Sequence, residues 1–152
     1  DVWIPHIGQC IIVATDGSDR VVGLACCHGV LEQTEPKIRE FLLSRPELPG
    51  LFDPARTIFM SELAVRDDFR RRGLGQDLIF ERFRWGFEAG YTHYAMRTAV
   101  EGSNSQRMYE RIGSHLAPFV QDVSDGGVLS ASKSRIYMYG SIATALARQG
   151  DV

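Results

Sequence analysis

The chain has 152 residues, of which 44% are hydrophobic and 24% are charged, as in an ordinary globular domain. Its formal net charge of -2 argues against a general nucleic-acid-binding protein, which usually has a basic surface. The sequence contains no apolar run of about 18 residues, so we expect no membrane span. The first residues also lack the basic and apolar regions of a secretory signal peptide.

The cysteines and histidines predict neither a disulfide framework nor a metal site. The cysteines are Cys10, Cys26 and Cys27, an odd number with an adjacent pair, and all of them lie in apolar runs. We interpret them as small core or sheet residues in a reducing compartment, which indicates the cytoplasm. There is no Cys-x-x-Cys spacing and the four histidines are scattered, so we expect no metal.

The first part of the chain predicts a hairpin followed by a long connection. Residues 9–15 and 20–27 have the composition of strands, and Asp16-Gly-Ser-Asp19 between them has turn chemistry. The connection covers residues 30–56, in which residues 32–43 can form one amphipathic helix before a proline-rich irregular loop. Connections of this length are often functional, as a lid or as a wall of a substrate site.

The second part predicts strands that alternate with helices. Residues 57–65 form an apolar run typical of a strand buried on both faces, and residues 76–89 form a helix that ends at Gly90. The apolar stripe that we expect this helix to bury consists of Leu74, Leu78, Ile79, Phe83 and Phe87.

A strand is then predicted at 91–100, a helix at 103–112, two strands at 115–123 and 134–142, and a tail at 143–152. This order predicts one α/β (α+β) domain over residues 1–152, with a mixed sheet and helices on its faces.

A strand, a basic loop with glycines and a helix start follow one another at residues 57–76. The first turn of a helix has unpaired N–H groups and partial positive charge, so it binds anions. Gly73 and Gly75 let a phosphate approach the backbone, and the planar guanidinium groups of Arg70, Arg71 and Arg72 suit phosphate oxygens. The segment predicts a site for a phosphorylated ligand, although a solvated basic turn is the simpler interpretation.

Two familiar glycine loops do not match. Residue 78 is leucine where the dinucleotide fingerprint needs glycine, and the Gly-Lys-Ser/Thr tripeptide of the P-loop is absent. The pattern Arg70-x-x-Gly73-x-Gly75, after a strand ending in Leu-Ala-Val, instead resembles the acyl-CoA loop of the GNAT superfamily of N-acetyltransferases.

A second motif carries the same resemblance. The segment Gly102-Ser-Asn-Ser-Gln-Arg-Met-Tyr109 resembles the family helix Asn-x-x-small-x-x-x-Tyr, which ends in Gly-Phe. Tyr109, Ser105 and Gly113 match this pattern, whereas the asparagine is displaced by two positions to Asn104 and Ser114 replaces the phenylalanine. The resemblance covers roughly residues 10 to 140.

The resemblance implies a mixed, mostly antiparallel central sheet with helices on both faces. It implies that the strand before the loop splays from its neighbour, and that acetyl-CoA, the cosubstrate, fills the gap. The residues that it implies for binding coenzyme A are Leu63, Ala64, Val65, Arg70, Arg71, Arg72, Gly73, Leu74, Gly75, Gln76 and Asn104.

Amine acylation by a thioester requires a base for the amine proton and is helped by an acid for the leaving thiolate. We expect Tyr109 to be the acid, because a phenol with a pKa of about 10 is protonated at pH 7. Glu62, in an otherwise apolar strand, is our candidate base, with Glu101 in reserve. The alternatives are that Tyr109 is an ordinary core residue and that Glu62 pairs with an arginine at the sheet edge.

The start of the chain departs from the family, which usually has a strand and one or two helices before the hairpin. Only about nine residues precede the hairpin here, so we expect this element to be missing, to be replaced by residues 30–56 or by another chain, or to lie in a part of the protein that this sequence does not include. An uncovered strand at 9–15 would be prone to aggregation, so we expect it to be paired in a homodimer.

These features predict an N-acyltransferase that moves an acetyl group from acetyl-CoA to a primary amine of a small molecule or peptide. One alternative is a non-catalytic acyl-CoA-binding or regulatory module, and another is a protein that binds a different phosphorylated ligand, such as a nucleotide. Acidic residues at 30–56 could attract a cationic amine or could form a solvated helix face. No nucleic-acid or membrane partner is expected.

Overall fold

The computed structural model describes residues 2–6, 8–43, 53–99, 104–122 and 134–152. These residues form seven strands, four α-helices and short 3-10 turns. The main elements are β1 (Val2–His6), β2 (Gln9–Thr15), β3 (Val21–Gly29), α1 (Pro36–Leu43), β4 (Thr57–Val65), α2 (Leu74–Glu88), β5 (His93–Ala99), α3 (Asn104–Arg111), β6 (His115–Asp122), β7 (Ser134–Ser141) and α4 (Ile142–Ala147).

One sheet contains all seven strands in the order β1-β2-β3-β4-β5-β7-β6. Neighbouring strands are antiparallel except β4 and β5, which are parallel. Helix α2 connects this parallel pair, as a crossover connection requires. The predicted mixed, mostly antiparallel sheet is therefore confirmed.

Helices cover both faces of the sheet. Phe83 of α2, Ile112 after α3 and Ala145 of α4 belong to the larger buried cluster. On the opposite face, Ile38 and Leu42 of α1 belong to a smaller cluster that also contains Phe59 and Tyr137 from the sheet. Among the described residues, no helix is both long enough and apolar enough to cross a membrane.

The strand at residues 9–15 is paired, as expected, but its partners are strands of the same chain. Strand β1 pairs with β2 along its length, from Val2↔Val13 to His6↔Gln9, and β3 pairs with the other side of β2. Pro5 suits β1 because this strand lies at the sheet edge, where a missing N–H costs no ladder hydrogen bond. A strand thus precedes the hairpin, and β2 gives no reason to expect a homodimer.

The helix expected at residues 32–43 begins later. Residues 30–32 form a 3-10 turn, and α1 starts at Pro36, whose fixed φ suits the first position of a helix. The Ile38 N–H donates to the Glu35 carboxylate at 2.6 Å, which satisfies one amide of the first turn. Most of the predicted irregular loop, at 44–52, lies outside the described residues.

Helix α2 buries a different set of aromatic residues from the predicted stripe. Phe83 is buried as expected, but the exposed fraction of Phe87 is 57%, so its prediction as a core residue is wrong. Phe80 and Trp85 are buried instead. Phe87 lies in the last turn of α2, directly after Gly86, which is the last buried residue of the helix.

Candidate active site

Strand β4 changes its surroundings halfway along its length. Residues 57–60 are buried, and Ile58 and Phe59 lie between two strands, because the ladder to β5 runs from Thr57↔His93 to Phe59↔Ala95 and the ladder to β3 begins at Ile58↔Gly29. The ladder to β3 continues to Val65↔Gly23. Residues 61–65 therefore have a strand on one side only within the described chain, and residues 62–64 are exposed. The splay that the family resemblance implies is present, whereas burial on both faces holds only for the first half.

A β-bulge marks this transition. Cys27 is opposite Met60 and Cys26 is opposite Glu62, so Ser61 is an additional residue on β4. Bulges bend a strand and re-aim its side chains, and they are frequent beside active sites. The ladder to β5 ends at Phe59, two residues before the additional residue Ser61.

A buried arginine contacts the backbone at the bulge. Arg82 of α2 is 2% exposed, and its Nη1 donates to the carbonyl oxygens of Cys26 and Glu62, at 3.2 Å each. Buried charges require hydrogen-bonding partners, and these carbonyls supply two. Arg82 thereby ties α2 to both strands at the point where the sheet opens.

The loop after β4 leads into an uncapped helix. Gly73 is the N-cap residue of α2, with a φ of 81° that favours glycine, and no side chain caps the helix. The N–H groups of residues 74–76 therefore have no intrahelical acceptor. A Cβ at Gly73 would meet no atom within 4 Å, and one at Gly75 would meet only Cγ2 of Val65, at 4.0 Å. The helix start is thus open to an anion.

Arg70 is held within its own loop. Its Nε lies 3.2 Å from the Val65 carbonyl oxygen and 3.2 Å from a carboxylate oxygen of Asp67. Because the side chain of Arg70 is 65% exposed, this ion pair adds little stability. Its contribution is to fix the path of the loop between β4 and α2.

Arg71 and Arg72 supply the positive charge next to the helix start. Both are exposed, and neither forms an ion pair with a described residue. The guanidinium carbon of Arg72 lies 5.0 Å from the ring centre of Phe69, in a cation–π arrangement. Arg71 has a φ of 61°, in the left-handed region that glycine normally occupies.

Tyr109 lies inside the protein and belongs to the larger buried cluster. It is 2% exposed, and its ring centre is 6.3 Å from that of Tyr94. Burial raises the pKa of Tyr109, and the charge of Arg82 and its hydrogen bond to the phenol partly oppose that rise. The phenol is therefore protonated at neutral pH and can donate a proton. Arg82, which donates to the backbone carbonyl of Glu62, is also near enough for its charge to lower the pKa of the Tyr109 phenol.

The Glu62 side chain is exposed at the open half of β4. It forms no ion pair with a described residue, so the structure does not contain the predicted alternative of an arginine partner within that part of the chain. Burial, followed by the nearby charge of Glu62, raises the pKa of the Cys26 thiol. The expected penalty for burying this carboxylate is absent because solvent reaches it. The reserve base, Glu101, lies outside the described residues.

The second motif also forms a helix, and Asn104 is its first residue. Gly113 has a φ of 92° and ends this segment, as predicted, and the Ser114 hydroxyl hydrogen-bonds that of Tyr94. The predicted capping residue Ser103 lies outside the described residues, and the role of Asn104 in binding stays a prediction. Among the described residues, no three His, Cys, Asp or Glu side chains are grouped as metal ligands.

The sequence interpretation missed Arg82. The available signal was a charged residue inside the apolar stripe of a helix, four positions after Leu78 and one before Phe83. A charge at such a position is costly unless it has partners, so it indicates a buried polar contact.

Comparisons with known proteins agree with this geometry. Residues 3–113 match the model of the acetyltransferase (GNAT) family. No protein of curated function matches the chain significantly.

Several solved structures share the fold. Nourseothricin acetyltransferase aligns with a TM-score of 0.61 at 15% identity, over 89% of this chain and 66% of that chain. A Bacillus subtilis acetyltransferase in complex with CoA aligns with a TM-score of 0.61 at 13% identity, over 89% and 78% of the two chains. A putative streptothricin acetyltransferase from Bacillus anthracis, in complex with acetyl coenzyme A, aligns with a TM-score of 0.58 at 16% identity, over 88% of this chain and 62% of that chain. The chain thus spans slightly less than two thirds of the first of these. With a family match over most of its length and this fold, the chain belongs to the GNAT acetyltransferase family.

Proposed function

We propose that the protein transfers an acetyl group from acetyl-CoA to a primary amine of a small molecule or peptide. The observation that carries this proposal is the continuity between two features of β4 and α2. The open edge at residues 61–65 leads directly into the uncapped helix start with Arg71 and Arg72 beside it. A ligand that fits both must have an amide-bearing arm and a phosphate end. Coenzyme A has both, and two of the aligned structures contain CoA or acetyl-CoA.

Each part of the site would hold one part of acetyl-CoA. The backbone of Leu63, Ala64 and Val65 would pair with the amides of the pantetheine arm, as a further strand would. The N–H groups at residues 74–76 would bind the pyrophosphate, with Arg71 and Arg72 as charged partners. A hydrogen bond to a charged group contributes roughly 1.5–3 kcal/mol.

The chemistry would use one carboxylate and one phenol. The amine nitrogen attacks the thioester carbon as Glu62, directly or through water, accepts the amine proton. The C–N bond forms and the C–S bond breaks, and Tyr109 donates its proton to the sulfur that leaves. Backbone N–H groups at the end of β4 would stabilise the negative oxygen of the tetrahedral intermediate.

The acceptor would be an amine reached from the exposed side of Glu62. Two aligned structures are acetyltransferases named for nourseothricin and streptothricin, which supports a small-molecule amine as the first class to test. Cys10, Cys26 and Cys27 form no disulfide with one another, which fits the reducing cytoplasm.

A non-catalytic acyl-CoA-binding module is the second candidate, and the burial of Tyr109 favours it. At 2% exposure, this phenol would need a small opening of the gap to reach a sulfur atom. Release of free thiol from acetyl-CoA separates the two candidates, because a binding module releases none.

The first experiment is a thermal-melt titration with acetyl-CoA, coenzyme A, ATP and NAD in parallel. A ligand at 100 times its dissociation constant stabilises the folded state by about 2.7 kcal/mol. We expect a shift with acetyl-CoA and coenzyme A alone. A shift with ATP or NAD alone would indicate a different phosphorylated ligand, and no shift would refute the binding proposal.

The catalytic step is tested by detecting free thiol with a panel of amines. Tyr109→Phe should lower kcat at least tenfold and leave the affinity for acetyl-CoA nearly unchanged, because only the proton donor is lost. Tyr139→Phe, in a half-buried tyrosine beside His115, is the matched control. An unchanged kcat in Tyr109→Phe would remove Tyr109 from the mechanism.

A further inference from the structure

We propose that a cavity at the end of α3 binds a small zwitterion, which is a molecule with one ammonium and one carboxylate group, such as a free amino acid. The cavity has a volume of about 360 Å³, within the range of roughly 300–1,000 Å³ that ligand sites occupy. The lining residues that carry charged or hydrogen-bonding side chains are Glu110, Ser114, His115, Ser141, Thr144 and Arg148.

The cavity lies outside the proposed acetyl-CoA site. Its lining residues come from the end of α3, the start of β6 and the junction of β7 with α4. None of the described residues that line it belongs to β4 or α2, the two elements that we propose to hold acetyl-CoA. A ligand in this cavity would therefore be bound in addition to the substrates of the proposed reaction.

The cavity contains one charge of each sign. Glu110 supplies a carboxylate and Arg148 supplies a guanidinium, and the other lining residues are neutral when His115 is uncharged. Glu110 and Arg148 are exposed, and neither forms an ion pair with the other or with any other described residue. A simple anion or cation would meet one group of its own sign, whereas a zwitterion can pair with both groups.

Each of the two charges has its own support in the fold. Nε2 of Gln106, one turn earlier on α3, lies 3.5 Å from a carboxylate oxygen of Glu110. A Cβ on Gly113 would lie 3.3 Å from Nη1 of Arg148 and 3.7 Å from its Cζ, so the guanidinium rests against the turn that ends α3. Gly113 allows this approach because it has no side chain, and its φ of 92° favours glycine. The carboxylate and the guanidinium thus line one cavity from different supports.

Hydroxyl groups supply further polar contacts. The Ser141 hydroxyl accepts a hydrogen bond from the Thr144 N–H at 3.3 Å, so its own proton can be donated to a ligand carboxylate. The Ser114 hydroxyl is hydrogen-bonded to the phenol of Tyr94, a buried residue, which fixes its place in the wall. A lining that is already held in place loses less conformational entropy when a ligand binds.

Isothermal titration calorimetry of the 152-residue chain, without acetyl-CoA, tests the site. The probes are L-serine and L-glutamine, which are zwitterions with no net charge, and acetate and ethylamine, which carry one charge each. We expect saturable binding of at least one of the two amino acids, and roughly tenfold weaker binding of acetate and ethylamine, because each of these lacks one charged partner. The proposal is overturned if neither amino acid binds saturably, or if acetate or ethylamine binds with equal affinity.

Substitutions locate the bound amino acid. Arg148→Gln and Glu110→Gln should each weaken its binding roughly tenfold, because each removes one charged contact. Both side chains are exposed, so we expect both variants to fold. Arg111→Gln and Glu88→Gln remove exposed charges of the same signs outside the cavity and are the matched controls. Equal weakening by variants and controls would refute the site, since binding would then follow net charge.

Glu62→Gln separates this site from the proposed acceptor site. An amino acid that bound as an acceptor would lose affinity in Glu62→Gln and keep it in Arg148→Gln, and this result would overturn the proposal. Affinity that is lost in Arg148→Gln and kept in Glu62→Gln supports it. Because the titration contains no acetyl-CoA, its result does not depend on whether the protein transfers an acetyl group.

Discussion

The two halves of β4 belong to one strand and have opposite environments. Residues 57–60 are buried, and Ile58 and Phe59 pair with both β3 and β5, whereas residues 61–65 have only β3 beside them within the described chain and are largely exposed. Both halves are rich in apolar residues, so composition does not distinguish them. The difference comes from the bulge at Ser61 and from the end of the β5 ladder at Phe59. The first half therefore joins β3 to β5 in the sheet, whereas the second half has a backbone edge that no described strand pairs with.

The largest effect is expected from shortening a side chain in the paired half. Ile58 is fully buried and packs over Gly86 of α2, so Ile58→Ala should lower the free energy of unfolding by about 2–5 kcal/mol. The matched change in the open half is Leu63→Ala, where the side chain is 41% exposed. It should change the free energy of unfolding by about 0.5 kcal/mol or less. Urea denaturation measures both, and equal losses would contradict the comparison.

The second effect concerns the carboxylate of the open half. Glu62→Gln keeps the shape of the side chain and removes the carboxylate that we propose as the base, so kcat should fall roughly 100-fold with little change in stability. Glu88→Gln, at the exposed end of α2, is the control. Steady-state thiol release measures the change. A kcat within twofold of the unsubstituted protein would mean that another group accepts the amine proton.

A smaller effect is expected from the charges at the end of the open half. Replacing Arg71 and Arg72 together by alanine should weaken acetyl-CoA binding roughly fivefold to tenfold, because exposed charge pairs are individually weak. The loss should shrink as salt is added. Arg56→Ala removes an exposed arginine at the opposite end of β4 and is the control. Equal weakening by both changes would indicate a general effect of net charge.

The smallest effect is a pH dependence of the protein's stability, which comes from a histidine of β3 opposite the paired half of β4. His28 lies opposite Phe59, with ring centres 5.7 Å apart, and burial lowers its pKa while the charge of Glu32 opposes this. The unfolded chain, with a pKa of about 6.5, then binds the proton more readily, so stability falls as the pH drops below about 6.5. His28→Gln should reduce this loss, and His115→Gln should not. Thermal melts of the unsubstituted protein and of both variants between pH 7 and pH 5 measure this loss of stability. If the melting temperature changes with pH equally in the unsubstituted protein and in His28→Gln, His28 is not its cause.

The sequence was sufficient where structure depends on local chemistry. The hairpin β2–β3, the glycine loop before α2 and the ends of helices at Gly90 and Gly113 were predicted because neighbouring residues determine them. Phe87 was predicted wrongly because helical spacing gives a face and not the point where a helix leaves the core. Strand β1 was missed because an edge strand that contains Pro5 has a weak local pattern.

The two motifs could be recognised in the sequence, whereas the contacts of Arg82 could not. The roles of Tyr109 and Glu62 stay predictions from sequence patterns, and Arg82 lies 56 residues from Cys26 and 20 from Glu62. These hydrogen bonds exist only after three elements have packed together. A buried charge on a helix can be recognised in a sequence, whereas its partners across the sheet cannot.

The parallel pairing of β4 and β5 also affects how the chain folds during its synthesis. During synthesis β4 can pair with β3 at once, but its second neighbour emerges only after the whole of α2. Strand β5 in turn lacks its own antiparallel partner until β7 has been made. The apolar run Thr57–Met60 is then an open sheet edge on the nascent chain, the kind of surface that chaperones bind and that promotes aggregation. We expect ribosome-bound chains that end before His93 to be captured by chaperones more strongly than complete ones.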